Sequence, residues 1–554
     1  MALIIPPPMR LTHHGGSVPL GGRVAVTGAT GADHAAETVV RSALAAAGVH
    51  RVGVPDPDLT IRFARSAGEP GSYRVVTGPA EVLLAGGDDA GTYYAAQVFA
   101  RLLADGLPTV TIEDRPAMAW RGSIEGFYGT PWTHRERLAH LDFLGAHRMN
   151  TYVYAPKDDP YHRDRWREAY PPDELARLAE LVDRAAANHV RFVFTVSPGL
   201  SIRYSERADL DALLAKFAAV RALGCETFCV ALDDIDPSAW HDPRDEDEHG
   251  HAGAAHAWLV NQVREWAGAP VQFVPTEYHG LAETRYKKEV RDRLAPDTAV
   301  WWTGHDVVPA TITVDEARQA RELFGHPILV WDNYPVNDYI AGRVPLGPYD
   351  GRENGLSAHV EGVLANPANQ VAMSTVALSA FAEYGWDDTG FDAAAAHRRA
   401  LGALAGEKSD VAAALTAFAD LNTRDDRLHH DQAPMHAAAL ATIRANLASG
   451  DRPAAVARLT ELADRLIAVP HLVARADPRF AVEAEAWLAA ARLWGEALAG
   501  LVPVLEDGTG HDHVRRLAAA ARSVRDDRHP HRTTGVLVGD GVLDAFVEEV
   551  LDAS

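Results

Sequence analysis

The chain has 554 residues, 47% of them hydrophobic and 23% charged, with a formal net charge of −23. At about 150 residues per domain that length allows roughly three to four domains, with a core large enough to need neither metals nor disulfides as staples. The charge speaks against a nucleic-acid partner, since phosphate binding needs a basic patch and none stands out, and it disfavours a polyanionic substrate.

The opening segment reaches three prolines, Pro6–Pro8, after only a few apolar residues. That is not a signal-peptide pattern, and no later run reads as long enough to span a bilayer, so the expectation is a cytoplasmic protein with no membrane partner. Residues 1–115 read as a small α/β domain. Val24–Val26, Leu59–Phe63, Tyr73–Val76 and Glu81–Ala85 look like short strands, and Ala35–Ala47 and Gly91–Leu103 like amphipathic helices. Within it, Val24–Gly31 resembles the start of a dinucleotide-binding turn. Counted from Gly28, however, Thr30 and Asp33 stand where the second and third glycines belong, and Pro55 breaks the next strand candidate. A plain strand–turn–helix is expected, and no cofactor.

Residues 116–390 change rhythm. Apolar runs at Gly122–Phe127, Thr151–Ala155, Val190–Val196, Thr227–Leu232, Val271–Val274, Ala299–Trp302, Ile328–Trp331 and Gly362–Leu364 alternate with helical stretches such as His134–His147, Pro172–Asn188 and Leu210–Leu223. Eight such runs match a closed parallel (β/α)8 TIM barrel in number and length, with strands buried on both faces. Cys225 and Cys229 lie four residues apart along a predicted strand, about 13 Å against the roughly 5.5 Å between Cα atoms in a disulfide, so they are expected as buried free thiols. The segment His241–His256 carries several histidines beside the acidic run Asp245–Glu248 and reads as a solvated loop with no metal-ligand spacing. Residues 391–554 read as a helical C-terminal domain with little catalytic signal, Ala481–Ala499 being its clearest helix, uninterrupted by a strand pattern until Gly535–Val538.

Active sites of such barrels lie at the C-terminal ends of the strands, and polar residues follow each run. They include Gly126–Gly129, Pro156–Asp159, Ser197–Gly199, Asp233–Asp236, Thr276–Tyr278, Thr303–Asp306, Asp332–Asn333 with Asn337–Asp338, and Asn366–Pro367. Converging carboxylates, amides, a lysine and aromatics suit a sugar, whose hydroxyls take directional hydrogen bonds and whose ring faces stack on aromatics. Asp233 and Asp234 are adjacent, and a turn at a strand's end aims both inward. Like charges that close resist joint ionisation, so one pKa is expected to rise. A retaining glycosidase normally sets its two carboxyls about 5–5.5 Å apart across the bond. Adjacent residues fit that poorly, and fit better a reaction in which the substrate's own 2-acetamido group attacks the anomeric carbon. The alternatives for the pair are a helix-capping or solvated role, or a divalent cation held by Asp233, Asp234 and Asp236.

The segments Arg121–Trp132, Asn150–Asp159, Ser197–Gly199 and Asp233–Asp236 resemble glycoside hydrolase family 84, the O-GlcNAc hydrolases and bacterial β-N-acetylglucosaminidases. The likeness continues through Pro275–Tyr278, Trp302–Gly304, Trp331–Asn333, Asn337–Tyr339, Leu346–Tyr349 and Asn366–Pro367, covering the whole barrel in order, and the preceding domain also fits. The resemblance implies a retaining exo-β-N-acetylglucosaminidase that acts on terminal N-acetylglucosamine of a glycan or glycoprotein through an oxazoline. It implies that Asp233 orients the acetamido N–H, that Asp234 is the acid/base, and that Asp338 binds the 4- and 6-hydroxyls. It further implies sugar contacts from Gly126, Lys157 and Asn366, support of the acetamido group or of its partner Asp by Asn333, and a pocket wall of Tyr278 and Trp331 around the N-acetyl methyl. The alternative functions are an endo-acting hyaluronidase-type hexosaminidase and an inactive glycan-binding module.

Overall fold

The computed structural model describes residues 4–28, 33–49, 51–53, 56–406, 408–526 and 535–553. Strands Trp120–Glu125, Thr151–Tyr154, Arg191–Val196, Thr227–Ala231, Gln272–Val274, Ala299–Trp302, Ile328–Asp332 and Gly362–Ala365 form one closed parallel barrel in chain order. The last strand pairs with the first, Gly362 against Trp120 and Ala365 against Ser123. Each expected run contributes one strand. Side chains of successive strand residues alternate between faces. Ile124, Val153, Ala155, Val193, Cys229, Ala231, Val274, Trp301, Leu329, Trp331 and Leu364 accordingly fill the barrel interior as one buried cluster. Their alternates pack outward on the surrounding helices. Both cysteines are buried free thiols.

The N-terminal sheet has seven strands, in the spatial order Arg10–Ser17, Pro108–Asp114, Tyr73–Thr77, Glu81–Gly86, Leu59–Arg65, Arg23–Thr27 and Arg51–Val52. Three of these were not expected. Arg10–Ser17 is almost wholly exposed and polar, so it carries no alternating apolar signal. Of the nucleotide-like turn, Ala29–Gly31 lie outside the described residues, as does Pro55. Asp33, at the third glycine position of the fingerprint, is the N-cap of the helix His34–Ala46 and accepts the Ala36 N–H at 2.7 Å. Its carboxylate takes the place where a pyrophosphate would meet the helix terminus.

A buried polar cluster ties this domain to the barrel. Asp114, the last residue of its strand, accepts Tyr73 Oη–H at 2.7 Å, Arg148 Nη1–H at 3.1 Å and Trp386 Nε1–H at 2.9 Å. Trp386 ends the last barrel helix, and the Arg148 guanidinium lies 4.5 Å from the centroid of its ring.

Two further expectations are corrected. The segment after the fourth barrel strand is helical rather than a loop: Asp242 caps Pro243–His249, Pro243 pre-sets the first turn, and Ala252–Ala267 follows. Asp245 is buried and accepts both the N–H and the hydroxyl of Ser205, at 2.7 and 2.6 Å. Gly535–Val538 forms no strand: Val536 and Leu537 donate singly to Val524 and Gly342. The C-terminal helices share one core with Val344, Leu346, Ala368 and Met373 of the barrel domain. Among them Glu485–Asp507 is, against expectation, long and apolar enough by length and composition to cross a bilayer. Its apolarity has a local cause, since Trp487, Leu488, Trp494, Leu498 and Leu501 are buried in that core.

Asp114→Ala leaves the Arg148 guanidinium buried and unpaired, which costs about 3–5 kcal/mol. A guanidinium-chloride titration should show that loss. A change below about 1 kcal/mol would mean the cluster is not the tie between the two domains.

Candidate active site

The alternation that fills the barrel also builds its mouth. Two residues beyond the interior side chains Ile124, Ala155, Ala231, Trp301, Trp331 and Leu364 come Gly126, Lys157, Asp233, Thr303, Asn333 and Asn366, and all six line one cavity of about 230 Å³. Four other acids near the strand ends do not join them. Glu125 turns outward to Arg137, at 2.7 and 2.8 Å, and Asp332 turns outward to Arg352 and Tyr349. Asp159 accepts two phenols, Tyr154 at 2.8 Å and Tyr170 at 2.9 Å, and Glu277 accepts Thr284. The ring of polar strand ends expected from the sequence is therefore narrower than it reads: these four carboxylates hold the scaffold.

Asp233 follows the parity and is buried; Asp234, its neighbour, is exposed and breaks it. The break is made by the backbone, for Asp234 has φ +51°. That left-handed conformation costs an L-residue roughly 1–2 kcal/mol, less for Asp, whose short polar side chain tolerates it. It turns the second carboxylate back over the same cavity. There Tyr128 Oη–H donates to Asp234 Oδ2 at 2.7 Å and Tyr278 Oη–H to Oδ1 at 3.0 Å.

The two carboxylates have different surroundings. Burial pushes the Asp233 carboxyl up, but the Lys157 ammonium, paired with its Oδ2, outweighs this and holds it below the usual carboxylate range. The expected rise from like-charge crowding is thus not what Asp233 shows; an ammonium from beyond the second barrel strand, two strands away, neutralises it. Oδ1 of Asp233 is buried with no hydrogen-bond partner among the described residues. Burial, then the charge or hydrogen bond of Asp234, pushes the ionisation of Tyr278 and Tyr128 far above the ordinary tyrosine value, so both remain donors.

Amide hydrogen bonds lock the floor. Asn333 Oδ1 accepts Trp331 Nε1–H at 3.0 Å and Asn366 Nδ2–H at 2.9 Å, while Asn333 Nδ2–H donates to the Val307 carbonyl at 2.7 Å. Asp338 stands at the rim and accepts the Tyr128 backbone N–H at 2.8 Å. All nine residues singled out in the sequence (Gly126, Lys157, Asp233, Asp234, Tyr278, Trp331, Asn333, Asp338 and Asn366) therefore line one cavity.

Tyr128, Thr303 and Tyr339, which lie in the segments named from the sequence but were given no role, also line it, and so does Arg427. Tyr128 could have been found by its place at the end of the first run. Arg427 could not, because it belongs to the region read as having little catalytic signal. That region also steadies the rim loop: Asp425 accepts Tyr339 Oη–H at 2.6 Å, Asp540 pairs with Arg343, and Trp487 donates to the Gly342 carbonyl at 3.0 Å.

A methyl group on Gly126 would fall 2.3 Å from Trp331 Cζ2. Gly126→Ala should displace the indole and break its bond to Asn333, at an overpacking cost of about 1–3 kcal/mol. A crystal structure of the variant with Trp331 unmoved would contradict this packing.

Residues 121–420, more than half of the chain, match the family model for beta-N-acetylglucosaminidase, and residues 2–115 match domain 2 of glycosyl hydrolase family 20. The Rattus norvegicus protein O-GlcNAcase is 36% identical over 271 residues, which is 46% of this chain but only 29% of the rat protein, so the likeness spans less than a third of that relative. Among solved structures, CpGH84B superposes with a TM-score of 0.84 at 25% identity, over 98% of this chain and 99% of that one. A mutant Thermobaculum terrenum O-GlcNAc hydrolase gives 0.71 at 27% identity, over 79% and 95%. The chain thus belongs to the β-N-acetylglucosaminidase family, the glycoside hydrolase family 84 that its barrel motifs resemble.

Proposed function

We propose that this protein is a retaining exo-β-N-acetylglucosaminidase that removes terminal β-linked N-acetylglucosamine from a glycan or glycoprotein by substrate-assisted catalysis. One observation carries the reading: two consecutive carboxylates face one cavity, one buried and ion-paired, the other exposed beneath two phenols. Asp338 is the remaining carboxylate, and it sits at the backbone end of Tyr128 while Asp234 sits at the hydroxyl end. A whole tyrosine side chain lies between them, which does not suit the roughly 5–5.5 Å of an acid and a protein nucleophile. The nucleophile is then supplied by the sugar. The unpartnered Oδ1 of Asp233 accepts the acetamido N–H, which raises the nucleophilicity of the acetamido oxygen. That oxygen attacks the anomeric carbon as Asp234 gives its proton to the departing oxygen, forming an oxazoline whose nitrogen proton is shared with the Asp233 carboxylate. Asp234 then takes a proton from water, whose oxygen opens the ring with net retention.

The remaining residues support the sugar. Trp331 and Tyr278 wall the N-acetyl methyl, Asp338 takes the 4- and 6-hydroxyls, and Gly126, Lys157 and Asn366 contact the ring, with Asn333 holding Trp331 and Asn366 in place. At about 230 Å³ the cavity is below the ~300–1,000 Å³ of sites for drug-sized ligands, which favours one terminal residue over the interior of a polymer. The names of the rat and Thermobaculum relatives make O-linked N-acetylglucosamine on protein a candidate substrate.

The parent should hydrolyse 4-methylumbelliferyl N-acetyl-β-glucosaminide and release the β-anomer first, as followed by proton NMR. The α-anomer would instead mean inversion between Asp234 and Asp338, and absence of turnover with retained sugar binding would mean a binding module. Asp233→Asn should lower kcat/KM about 10²–10⁴-fold for every leaving group, whereas Asp234→Asn should spare oxazoline formation from aryl glycosides with good leaving groups. Equal losses in both variants across leaving groups would remove the division of roles.

Lys157→Met tests the ion pair. Asp233 works ionised, and its carboxyl is depressed while Lys157 is present, so parent activity and the associated stability are lost only as pH falls through that depressed value. Without the ammonium the acid limb of kcat/KM should move to higher pH. An unmoved limb would mean that Lys157 does not set the charge of Asp233.

A further inference from the structure

Arg163 lies in the segment after the second barrel strand, half-buried and outside the cavity lining. Its Nη1–H donates to Tyr128 Oη at 3.0 Å, and its guanidinium carbon stands 5.6 Å from the centroid of the same ring. Tyr128 in turn donates to Asp234 Oδ2 at 2.7 Å. The three groups form a directed chain, guanidinium to phenol to carboxylate. A phenol proton lies in the ring plane and has two favoured positions. With the Arg163 N–H aimed at one side of the oxygen, the proton is left to the other side, where Asp234 stands.

We infer that Arg163 is a positioning residue that locks Tyr128 as a one-way hydrogen-bond donor to Asp234 Oδ2, so that the proton delivered in catalysis is carried on Oδ1, facing Tyr278. The inference rests on the reading of Asp234 as the acid/base. A phenol free to turn would accept a proton from Oδ2 and stabilise the protonated carboxyl there; a locked one favours the ionised form. Tyr278, whose hydroxyl has Asp234 Oδ1 as its partner among the described residues, keeps the freedom to change from donor to acceptor. The other charged groups around Asp234 do not duplicate this. Lys157, 5.7 Å from the Tyr128 ring, is bound to Asp233; Asp338 meets the backbone of Tyr128; and Arg427 lies against Tyr339, 5.0 Å from its ring centroid.

The test compares Arg163→Met, Tyr128→Phe and the double variant with the parent full-length chain. Two readouts are used: the pH profile of kcat/KM on an alkyl N-acetyl-β-glucosaminide, whose poor leaving group needs the acid, and the carbon-13 NMR titration of the Asp234 carboxyl, assigned with Asp234→Asn. Removing a cation and a locked donor raises the carboxyl's proton affinity, and the general acid works protonated. The basic limb and the titration should therefore both move up in Arg163→Met, by about half to one pH unit, less than the one to three units an adjacent charge gives. In the Tyr128→Phe background the same substitution should move neither further, and Arg163→Lys should lie between the parent and Arg163→Met.

An unmoved titration in Arg163→Met with an unchanged unfolding midpoint overturns the inference. So does an equal shift with and without Tyr128, which would mean a direct field rather than a relay. The titration needs no substrate: a shifted Asp234 in a protein that hydrolyses nothing supports the relay and removes the glycosidase reading, so the two fail separately.

Discussion

The left-handed turn at Asp234 is the constraint on which the site depends. Strand alternation delivers one side chain in two to the barrel mouth, and it delivers Asp233. A second carboxylate from the very next residue reaches the same space only because the chain reverses there at φ +51°. The reversal is held by what it creates, two phenol hydrogen bonds at 2.7 and 3.0 Å from tyrosines on other strand ends. Each hydrogen bond to a charged group is worth about 1.5–3 kcal/mol, enough to hold a conformation that costs an ordinary L-residue about 1–2 kcal/mol and Asp less.

The same turn separates the two carboxylates electrostatically. Asp233 stays below the protein surface, where a lone charge is costly, and the Lys157 ammonium removes most of that cost by pairing with it. Asp234 emerges into the open mouth beneath neutral donors. Two residues of one type, adjacent in sequence, thereby receive the unlike environments that acid–base chemistry needs. The scaffold carboxylates show the contrast: Glu125, Asp159 and Asp332 are spent on Arg137, two tyrosines and Arg352, and face away from the cavity.

Much of this was legible in the sequence because the barrel is a local, periodic pattern. Eight apolar runs became eight strands, and residues two beyond the interior positions became the cavity lining. What escaped depends on packing between distant segments. Arg427 reaches the pocket from the helical region because Asp425 grips Tyr339, and no spacing in the chain announces that contact. Arg163 lies nine residues beyond a strand end and looks like any surface arginine until Tyr128 is seen beneath it. Asp332 was overcounted for the opposite reason, since adjacency to Asn333 hides the fact that alternation sends the two to opposite faces. The first strand, Arg10–Ser17, is a polar edge whose partner is a hundred residues away.

The central claim is that the sugar brings its own nucleophile, and a series of aryl 2-acylamido glucosides tests it most directly. Replacing the hydrogens of the acetyl methyl by fluorine, one at a time, withdraws electrons from the acyl oxygen while barely changing its size. If that oxygen attacks the anomeric carbon, kcat/KM falls steeply with each fluorine while binding changes little. A rate that stays level from acetyl to trifluoroacetyl would contradict the account and return the nucleophile to the protein or to water.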